Sequence, residues 1–157
     1  MSRAFVKEDD AAPEPPRAER PISAAPNRVT ERGARLIQQR VRELKEALGE
    51  NPQEEAAESL RRDLRYWQSR QASMQLVVPA SSPEIVGFGC SVTMRRGSTA
   101  STITIVGEDE ADPAAGLIAW TAPLAQALEG AEVNDTVELD AGGRRESIAV
   151  LAIAPGD

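Results

Sequence analysis

The sequence predicts an α+β protein in which an antiparallel helical hairpin precedes a small domain of strands and one short helix. Two observations support this fold class. Apolar residues recur at steps of three and four between residues 30 and 78, and the period shifts towards two after residue 84. At 157 residues the chain has room for one ordinary domain and an appendage, so a large multidomain enzyme is excluded.

The first 27 residues are predicted to form a flexible leader. Residues 8–27 hold five of the eleven prolines, carry charges of both signs and contain few apolar side chains. Such a segment buries too little apolar surface to offset the conformational entropy lost on ordering. We therefore expect a plain tail, and docking of this leader on a partner is the alternative.

Residues 28–78 are predicted to form the hairpin. Thr30 is a suitable N-cap for a helix that runs to about Leu48, and Gly49 suits the left-handed position that ends it. Two apolar seams joined by a short turn predict two antiparallel arms, each about 30 Å long. The first seam is Ile37, Val41, Leu44 and Leu48, and the second is Ala57, Leu60, Leu64, Trp67, Gln71, Met74 and Val78.

The turn between the arms reads "GENPQEEAAES" and is acidic, with Glu50, Glu54 and Glu55 as candidate tip residues beside Asn51. One interpretation is a tip that presents carboxylates to a metal ion. The other is ordinary helix-start chemistry, in which Asn51 is the N-cap, Pro52 takes the first helical position and Glu54 completes a capping-box-like arrangement. The second interpretation accounts for most of the stretch without a metal.

A row of arginines lies opposite the predicted seams. It is either a solvated helix face or a surface that attracts phosphates. Trp67 falls in register with the seam, so we interpret it as a packing residue. The arginines of this predicted basic hairpin face are Arg35, Arg42, Arg61, Arg62 and Arg65.

Residues 79–84 are predicted to be a linker, and residues 85–155 the second domain. A short apolar helix over residues 122–130 interrupts its alternating segments, so we predict a sheet that covers one helix. The predicted strands are residues 85–96, 101–107 and 117–120, followed by a hairpin over residues 136–153 that turns at Gly142 and Gly143, and Cys90 is expected to be buried in the first strand.

Composition excludes several function classes. The chain has no histidine and one cysteine, which removes an internal disulfide, the common zinc sites and any Ser-His or Cys-His nucleophile. Only 3% of the residues are aromatic, which argues against an aromatic-lined ligand pocket. We expect no catalytic activity of its own and no cofactor. No apolar run is long enough for a membrane span or a secretion signal, so we expect a cytoplasmic protein without a membrane partner.

Several motifs of the second domain resemble the C-terminal domain of the Gre transcript-cleavage factors of bacterial RNA polymerase. Residues 105–139 contain Val-Gly, Asp-Glu-Ala-Asp, Pro-Leu-Ala and Ala-Leu in the order of that family. "FGCSVT", residues 88–93, is similar to the family's strand opening, and "VTERGARLIQQRVREL", residues 29–44, is similar to the start of its first helix. The resemblance covers residues 28–155.

The resemblance implies an FKBP-like C-terminal domain that docks at the rim of the polymerase secondary channel while the hairpin enters the channel. In the family an acidic tip helps to hold a second magnesium ion in the active centre of the polymerase, where two metals cut the transcript. It implies a monomer that binds RNA polymerase, with indirect contact to transcript RNA. The polymerase-binding candidates, for which ordinary turn chemistry is the alternative in the acidic loop, are Asp109, Glu110, Asp112, Pro113, Pro123 and Leu124.

The chain departs from the family pattern at the tip. The family's Asp-x-x-Glu-Asn-x-x-Tyr motif falls on Asn51, Glu54, Glu55 and Glu58, where only Glu54 matches. An amide oxygen carries no net charge and is a weaker magnesium ligand than a carboxylate. Compared with the cleavage-competent members of that family, the hairpin also looks shorter by roughly ten residues per arm, which retracts the tip by about 15 Å. We therefore expect weak or no stimulation of cleavage, with Glu54 as the one candidate for a shared magnesium ligand.

Three alternatives accompany this interpretation. One is a factor that fully stimulates cleavage in backtracked complexes. Another is an adaptor whose C-terminal domain binds a different protein. The third is prolyl isomerase activity, for which this domain offers only Phe88 and Trp120 as aromatic lining.

The second domain also departs from the family pattern at the start of its short helix. Ala122 replaces a family serine there, and Thr121 is the alternative hydroxyl for capping the short helix.

Overall fold

A computed structural model describes residues 17–157, so the first sixteen residues of the predicted leader lie outside the described residues. Two long helices are followed by a strand-rich domain. The elements are β1 (Arg28–Val29), α1 (Glu31–Gly49), α2 (Glu54–Ser73), β2 (Gln75–Leu76), β3 (Cys90–Arg96), β4 (Thr99–Val106), β5 (Leu117–Ala119), α3 (Pro123–Leu128), β6 (Thr136–Ala141) and β7 (Arg144–Pro155), with a 3₁₀ turn at Pro113–Ala115.

Helix α1 begins where the sequence predicts. The backbone N–H of Gly33 donates to the hydroxyl of Thr30 over 2.9 Å, which confirms Thr30 as the N-cap. The prediction for Gly49 is wrong, because Gly49 is the last helical residue and the left-handed residue is Asn51, with φ at 50°. A tightened last turn, in which the N–H of Glu50 donates to the carbonyl of Ala47, delays the reversal of the chain.

Helix α2 begins later than predicted. Gln53 is its N-cap and makes no side-chain capping bond, and Glu54 is the first helical residue. The predicted capping-box-like start at Asn51 is therefore wrong, because an N-cap residue needs extended backbone and Asn51 is left-handed. The carboxylate of Glu54 accepts instead from Arg61 Nη1 over 2.9 Å.

The far end of the predicted α2 seam is also wrong. The helix ends at Ser73, and Met74 is extended, so Met74 and Val78 lie outside it. The cause is the pairing of β2 with β1 in a short parallel sheet, which pulls the chain out of the helix.

The two helices pack along each other as the predicted antiparallel hairpin. Ile37 and Val41 of α1 and Ala57 of α2 are buried between the helices and the adjoining chain, and Trp67 is half-buried on the same seam. The steps of three and four therefore predicted the packing faces over most of the hairpin. Within residues 17–157 no helix is both long enough and apolar enough to cross a membrane.

The second domain is a curled mixed sheet of five strands in the order β5-β4-β3-β7-β6. The β4–β5 pair is parallel and the other pairs are antiparallel, and β6 and β7 join through Gly142 and Gly143, both left-handed, as predicted. Helix α3 packs against the sheet, with Leu128 fully buried beside Ile148. Cys90 is buried at the start of β3, which confirms its predicted setting. The predicted α+β fold class is confirmed.

Candidate functional site

The hairpin meets the sheet domain at a polar cluster, which we call the hairpin joint (Asn27, Tyr66, Arg70, Asp109). Asn27 and the side chains of Arg70 and Asp109 are buried, and Tyr66 is half-buried. Arg70 donates from Nε to Asp109 Oδ2 over 2.5 Å and from Nη2 to Asn27 Oδ1 over 2.7 Å. Asn27 Nδ2 donates back to the Arg70 carbonyl over 2.8 Å, and the Tyr66 hydroxyl donates to Asp109 Oδ1 over 2.5 Å. Both carboxylate oxygens of Asp109 therefore have partners on α2.

A second carboxylate ties the same loop to helix α1. Glu110 is buried, and it accepts from the Thr30 hydroxyl over 2.5 Å and from Arg32 Nε over 2.8 Å. Gly33 makes room for it, because a Cβ there would stand 2.7 Å from Glu110 Oε2. The loop after β4 thus binds the root of each helix through a separate carboxylate.

Backbone packing brings the hairpin and the sheet together at Gly107. A Cβ on Gly107 would collide with the carbonyl oxygen of Arg28, so β1 crosses the end of β4 at backbone distance. The guanidinium of Arg28 lies 4.6 Å from the ring centre of Trp120 on the sheet domain. The joint is therefore a close-packed contact that fixes the direction of the hairpin.

Burial raises the pKa of Tyr66 to about 12, and the hydrogen bond from its hydroxyl to Asp109 adds to this effect. The phenol therefore stays protonated, and remains a donor to Asp109, throughout the ordinary pH range. Arg70 and Asp109 are deeply buried, and a buried charge needs its partner. The joint consequently favours one arrangement of the two domains.

The tip of the hairpin has a different character. Glu50, Asn51, Glu54 and Glu55 are all exposed, and the chain reverses at Asn51. Arg61 forms an ion pair with Glu54, and Arg17 Nη2 lies 3.8 Å from Glu55 Oε1. Across residues 17–157 no three or more histidine, cysteine, aspartate or glutamate residues gather in a metal-binding group. The tip carboxylates therefore do not converge on one point.

Two comparisons with known proteins show the family of this chain. A family model described as "Transcription elongation factor, GreA/GreB, C-term" matches residues 80–155. Transcription elongation factor GreA of Nitratidesulfovibrio vulgaris is 32% identical over 115 residues, which are 71% of this chain and 72% of the relative. This chain belongs to the GreA/GreB family.

Other members of the family match over shorter stretches. GreA of Desulfovibrio desulfuricans is 33% identical over 94 residues, which are 58% of each protein, so the chain spans less than two thirds of that relative. Among solved structures, the GreA factor homolog Gfh1 of Thermus thermophilus is 17% identical with a TM-score of 0.39 and covers 82% of this chain and 99% of its own. A GreA/GreB factor of Nitrosomonas europaea is 20% identical with a TM-score of 0.41, covering 81% and 98%.

The polymerase-binding candidates of this Gre-family chain fall into two groups. Asp109 and Glu110 point into the hairpin root and have internal partners. Asp112, Pro113 and Pro123 are exposed, and Leu124 is half-buried against the core. Ala122 caps α3 without a side-chain bond, so Thr121 does not replace the missing serine as a cap.

The arginines of the basic hairpin face are also divided in space. Arg35 and Arg42 line an open groove of about 740 Å³ between α1 and the acidic loop. The other three lie on α2, where each has a partner: Arg61 bonds to Glu54, Arg62 to Ser59 and Arg65 to Glu19.

Sequence reasoning missed Asn27, Tyr66 and Arg70. Arg70 carries the one available signal, because it lies three residues after Trp67 on the packing side of α2, where a charged residue needs a buried partner.

The aromatic pair of the sheet domain leaves almost no cavity. Phe88 and Trp120 line a cleft of about 10 Å³, together with Arg28, Gly87 and Ala125. Typical ligand pockets hold about 300 to 1,000 Å³. A peptide proline does not fit there unless Arg28 and the hairpin root move away, which argues against the isomerase alternative.

Proposed function

We propose that this Gre-family factor binds bacterial RNA polymerase through its sheet domain at the rim of the secondary channel and inserts its hairpin into the channel. It gives weak or no stimulation of transcript cleavage, has no active centre of its own and acts as a monomer. The observation that carries this proposal is a rigid hairpin joint combined with a tip whose carboxylates do not converge.

The rigid joint matters because a ligand for a metal must be delivered to within a fraction of an ångström. Helices α1 and α2 contain 19 and 20 residues, so each arm extends the tip by about 30 Å from its root. Small rotations at the root become large displacements at that distance. The ties through Asp109 and Glu110 limit such rotations, and their role in this proposal is to aim the hairpin.

The docking surface we propose is the exposed part of the candidate set. Pro113 and Asp112 lie on the 3₁₀ turn before β5, and Pro123 opens α3. The ring of each proline fixes its φ, and all three residues are exposed and open to a partner. Arg61 and Arg62 on α2 are the residues we propose for indirect contact with transcript RNA.

The chemistry at the tip is limited by its ligands. Asn51 offers a neutral amide where the family has a carboxylate, and Glu54 is engaged by Arg61. A magnesium ion bound through one or two carboxylates tolerates little misplacement. Glu54 is the residue we assign as a shared ligand should cleavage occur at all.

The test uses purified polymerase and the full-length factor. We expect the factor to bind polymerase, and to leave the rate of cleavage in backtracked complexes close to the factor-free rate. Glu54→Gln is expected to leave that rate unchanged, and Glu84→Gln, an exposed linker carboxylate, is the matched control. Strong stimulation that Glu54→Gln alone abolishes would establish the fully active alternative. Absence of binding would favour the adaptor alternative, which co-purification from cell extract then tests.

A further inference from the structure

Residues 17–23, which we call the strap, lie along one side of helix α2. At one end Arg17 Nη2 is 3.8 Å from Glu55 Oε1, close to the hairpin tip. At the other end the hydroxyl of Ser23 donates to Glu108 Oε1 of the sheet domain over 2.9 Å. The strap therefore runs the length of α2 from tip to root, although its composition predicts a tail.

The centre of the strap covers a patch of α2 that carries Arg65, two aromatic rings and Asp63, whose Oδ1 lies 3.7 Å from Arg20 Nη1. Glu19 accepts two bonds from Arg65, over 2.5 Å from Nη2 and 3.2 Å from Nε. The guanidinium of Arg20 lies 3.9 Å from the ring centre of Tyr66 and also within reach of the Trp67 ring. Each charged side chain of the strap thus contacts a side chain on α2 that would otherwise be free to contact a partner: Arg17 contacts Glu55, Glu19 contacts Arg65 and Arg20 contacts Tyr66.

The strap is held by exposed polar contacts. Its large apolar residue, Ile22, is 51% exposed, and the side chains of Glu19 and Arg65 are 62% and 54% exposed. Exposed ion pairs are weak and are screened by salt, while ordering an extended segment costs conformational entropy. Asn27, in contrast, is buried in the hairpin joint. The segment is therefore firmly attached at Asn27 and weakly attached before it.

We propose that the strap is a releasable cover on the Arg65–Trp67 side of the hairpin, and that the hairpin enters a partner with the strap lifted. Lifting removes Glu19 from Arg65 and Arg20 from the two rings, and it makes the hairpin thinner. The second half of this statement rests on the proposed function; the first half does not.

Quenching of Trp67 by acrylamide tests the release directly. The chain has two tryptophans, so Trp120→Phe leaves Trp67 as the sole emitter. Raising the salt from about 0.05 M to about 0.5 M is expected to raise the quenching constant about twofold as the strap lifts. Glu19→Arg gives the raised value at low salt, and adding Arg65→Glu restores the low value because the ion pair is re-formed with its charges exchanged.

A matched control is Glu138→Arg, which disrupts an exposed ion pair with Arg145 on the sheet and leaves quenching unchanged. Equal quenching in all strap variants and at both salt concentrations overturns the proposal. Should Trp120→Phe impair folding, 5-fluorotryptophan labelling of the unmodified chain gives a separate fluorine signal for each tryptophan. The Trp67 signal is then followed through the same comparison.

Binding to purified RNA polymerase tests the consequence. A cover closed in most molecules weakens apparent affinity by the open fraction, so Glu19→Arg is expected to lower the Kd about threefold or more. Glu46→Arg makes the same charge change on α1 and controls for general electrostatics. The doubly exchanged chain returns to the original Kd. If no protein binds, the proposed function fails while the quenching result stands; if all bind equally, the role of the strap in entry is wrong.

Discussion

Arg70 and Asp109 form a charged hydrogen bond of 2.5 Å inside the protein, where their side chains are 3% and 8% exposed. The pair links the last turns of α2 to the loop that follows β4. Tyr66 donates to the other carboxylate oxygen of Asp109, and Asn27 Oδ1 accepts from Arg70 Nη2. Since α2 carries the tip at its other end, this one contact connects the sheet domain to the position of the tip.

Removing one member of this pair is expected to be costly. Asp109→Ala leaves the buried guanidinium of Arg70 without its carboxylate, and we expect a loss of about 3 to 5 kcal/mol in the free energy of unfolding. Urea unfolding measures it. The control, Glu138→Ala, removes an exposed ion pair and changes stability by less than about 0.5 kcal/mol. A loss below about 1 kcal/mol for Asp109→Ala would show that the joint is open to water.

Tyr66 reports on the joint through its ionisation, and it is the chain's only tyrosine. Its pKa is raised to about 12, first by burial and then by the hydrogen bond to Asp109. The unfolded phenol ionises near pH 10, so the stabilisation is complete below pH 10 and is lost as the pH rises through 12. An absorbance titration at about 295 nm is expected to give this raised pKa, and Asp109→Asn lowers it. A folded protein whose tyrosine titrates near pH 10 contradicts the buried setting.

Local signals of the sequence predicted the type and order of the main elements, although not the residues at which α1 and α2 end and begin. Thr30 caps α1 because a hydroxyl at that position reaches the N–H of Gly33, and this depends on three neighbouring residues only. The hairpin at Gly142 and Gly143 follows in the same way from the left-handed preference of glycine. The helical seam and the alternating strands predicted the α+β fold.

Long-range contacts could not be predicted in this way. The joint brings Asn27, Arg70 and Asp109 together from three distant parts of the chain, and no spacing in the sequence encodes that meeting. The resemblance implies polymerase contacts for Asp109 and Glu110, but no local pattern of the sequence indicates that their carboxylates have partners on the two helices. Helix α2 begins after the predicted residue because the left-handed backbone of Asn51 is set by the way the two packed helices are connected, which is also a long-range property.

Gly107 is expected to be sensitive to a single methyl group. In Gly107→Ala the added Cβ would collide with the carbonyl oxygen of Arg28, a backbone atom that moves only with β1. We expect a loss of about 1 to 3 kcal/mol, as for other overpacked sites, measured by thermal unfolding. Gly49→Ala is the matched control, because open space surrounds Gly49 in a helix, and alanine there is expected to stabilise by up to about 1 kcal/mol. Equal effects of the two changes would contradict the close approach of β1 to β4.

Substitutions at Asn51 distinguish a role in the backbone turn of the tip from a role as a metal ligand. Its φ of 50° suits asparagine, aspartate or glycine, so Asn51→Gly and Asn51→Asp are expected to keep the stability within about 0.5 kcal/mol, while Asn51→Ala costs about 1 kcal/mol. These values come from urea unfolding. Loss of stability in Asn51→Gly as large as in Asn51→Ala would mean that the amide itself holds the turn.

The substitution Asn51→Asp tests whether the missing charge or the distance to the metal limits the stimulation of transcript cleavage by the tip. It restores a carboxylate where the family has one and leaves the backbone conformation in place. The sequence analysis predicts arms too short for the tip to reach the metal, whatever residue 51 is, so we expect no gain in transcript cleavage by backtracked polymerase complexes. Asn51→Gly serves as the control of equal backbone and no carboxylate. A rise of about tenfold in Asn51→Asp alone, equivalent to about 1.4 kcal/mol in the barrier, would mean that the tip reaches the metal and lacks only the charge.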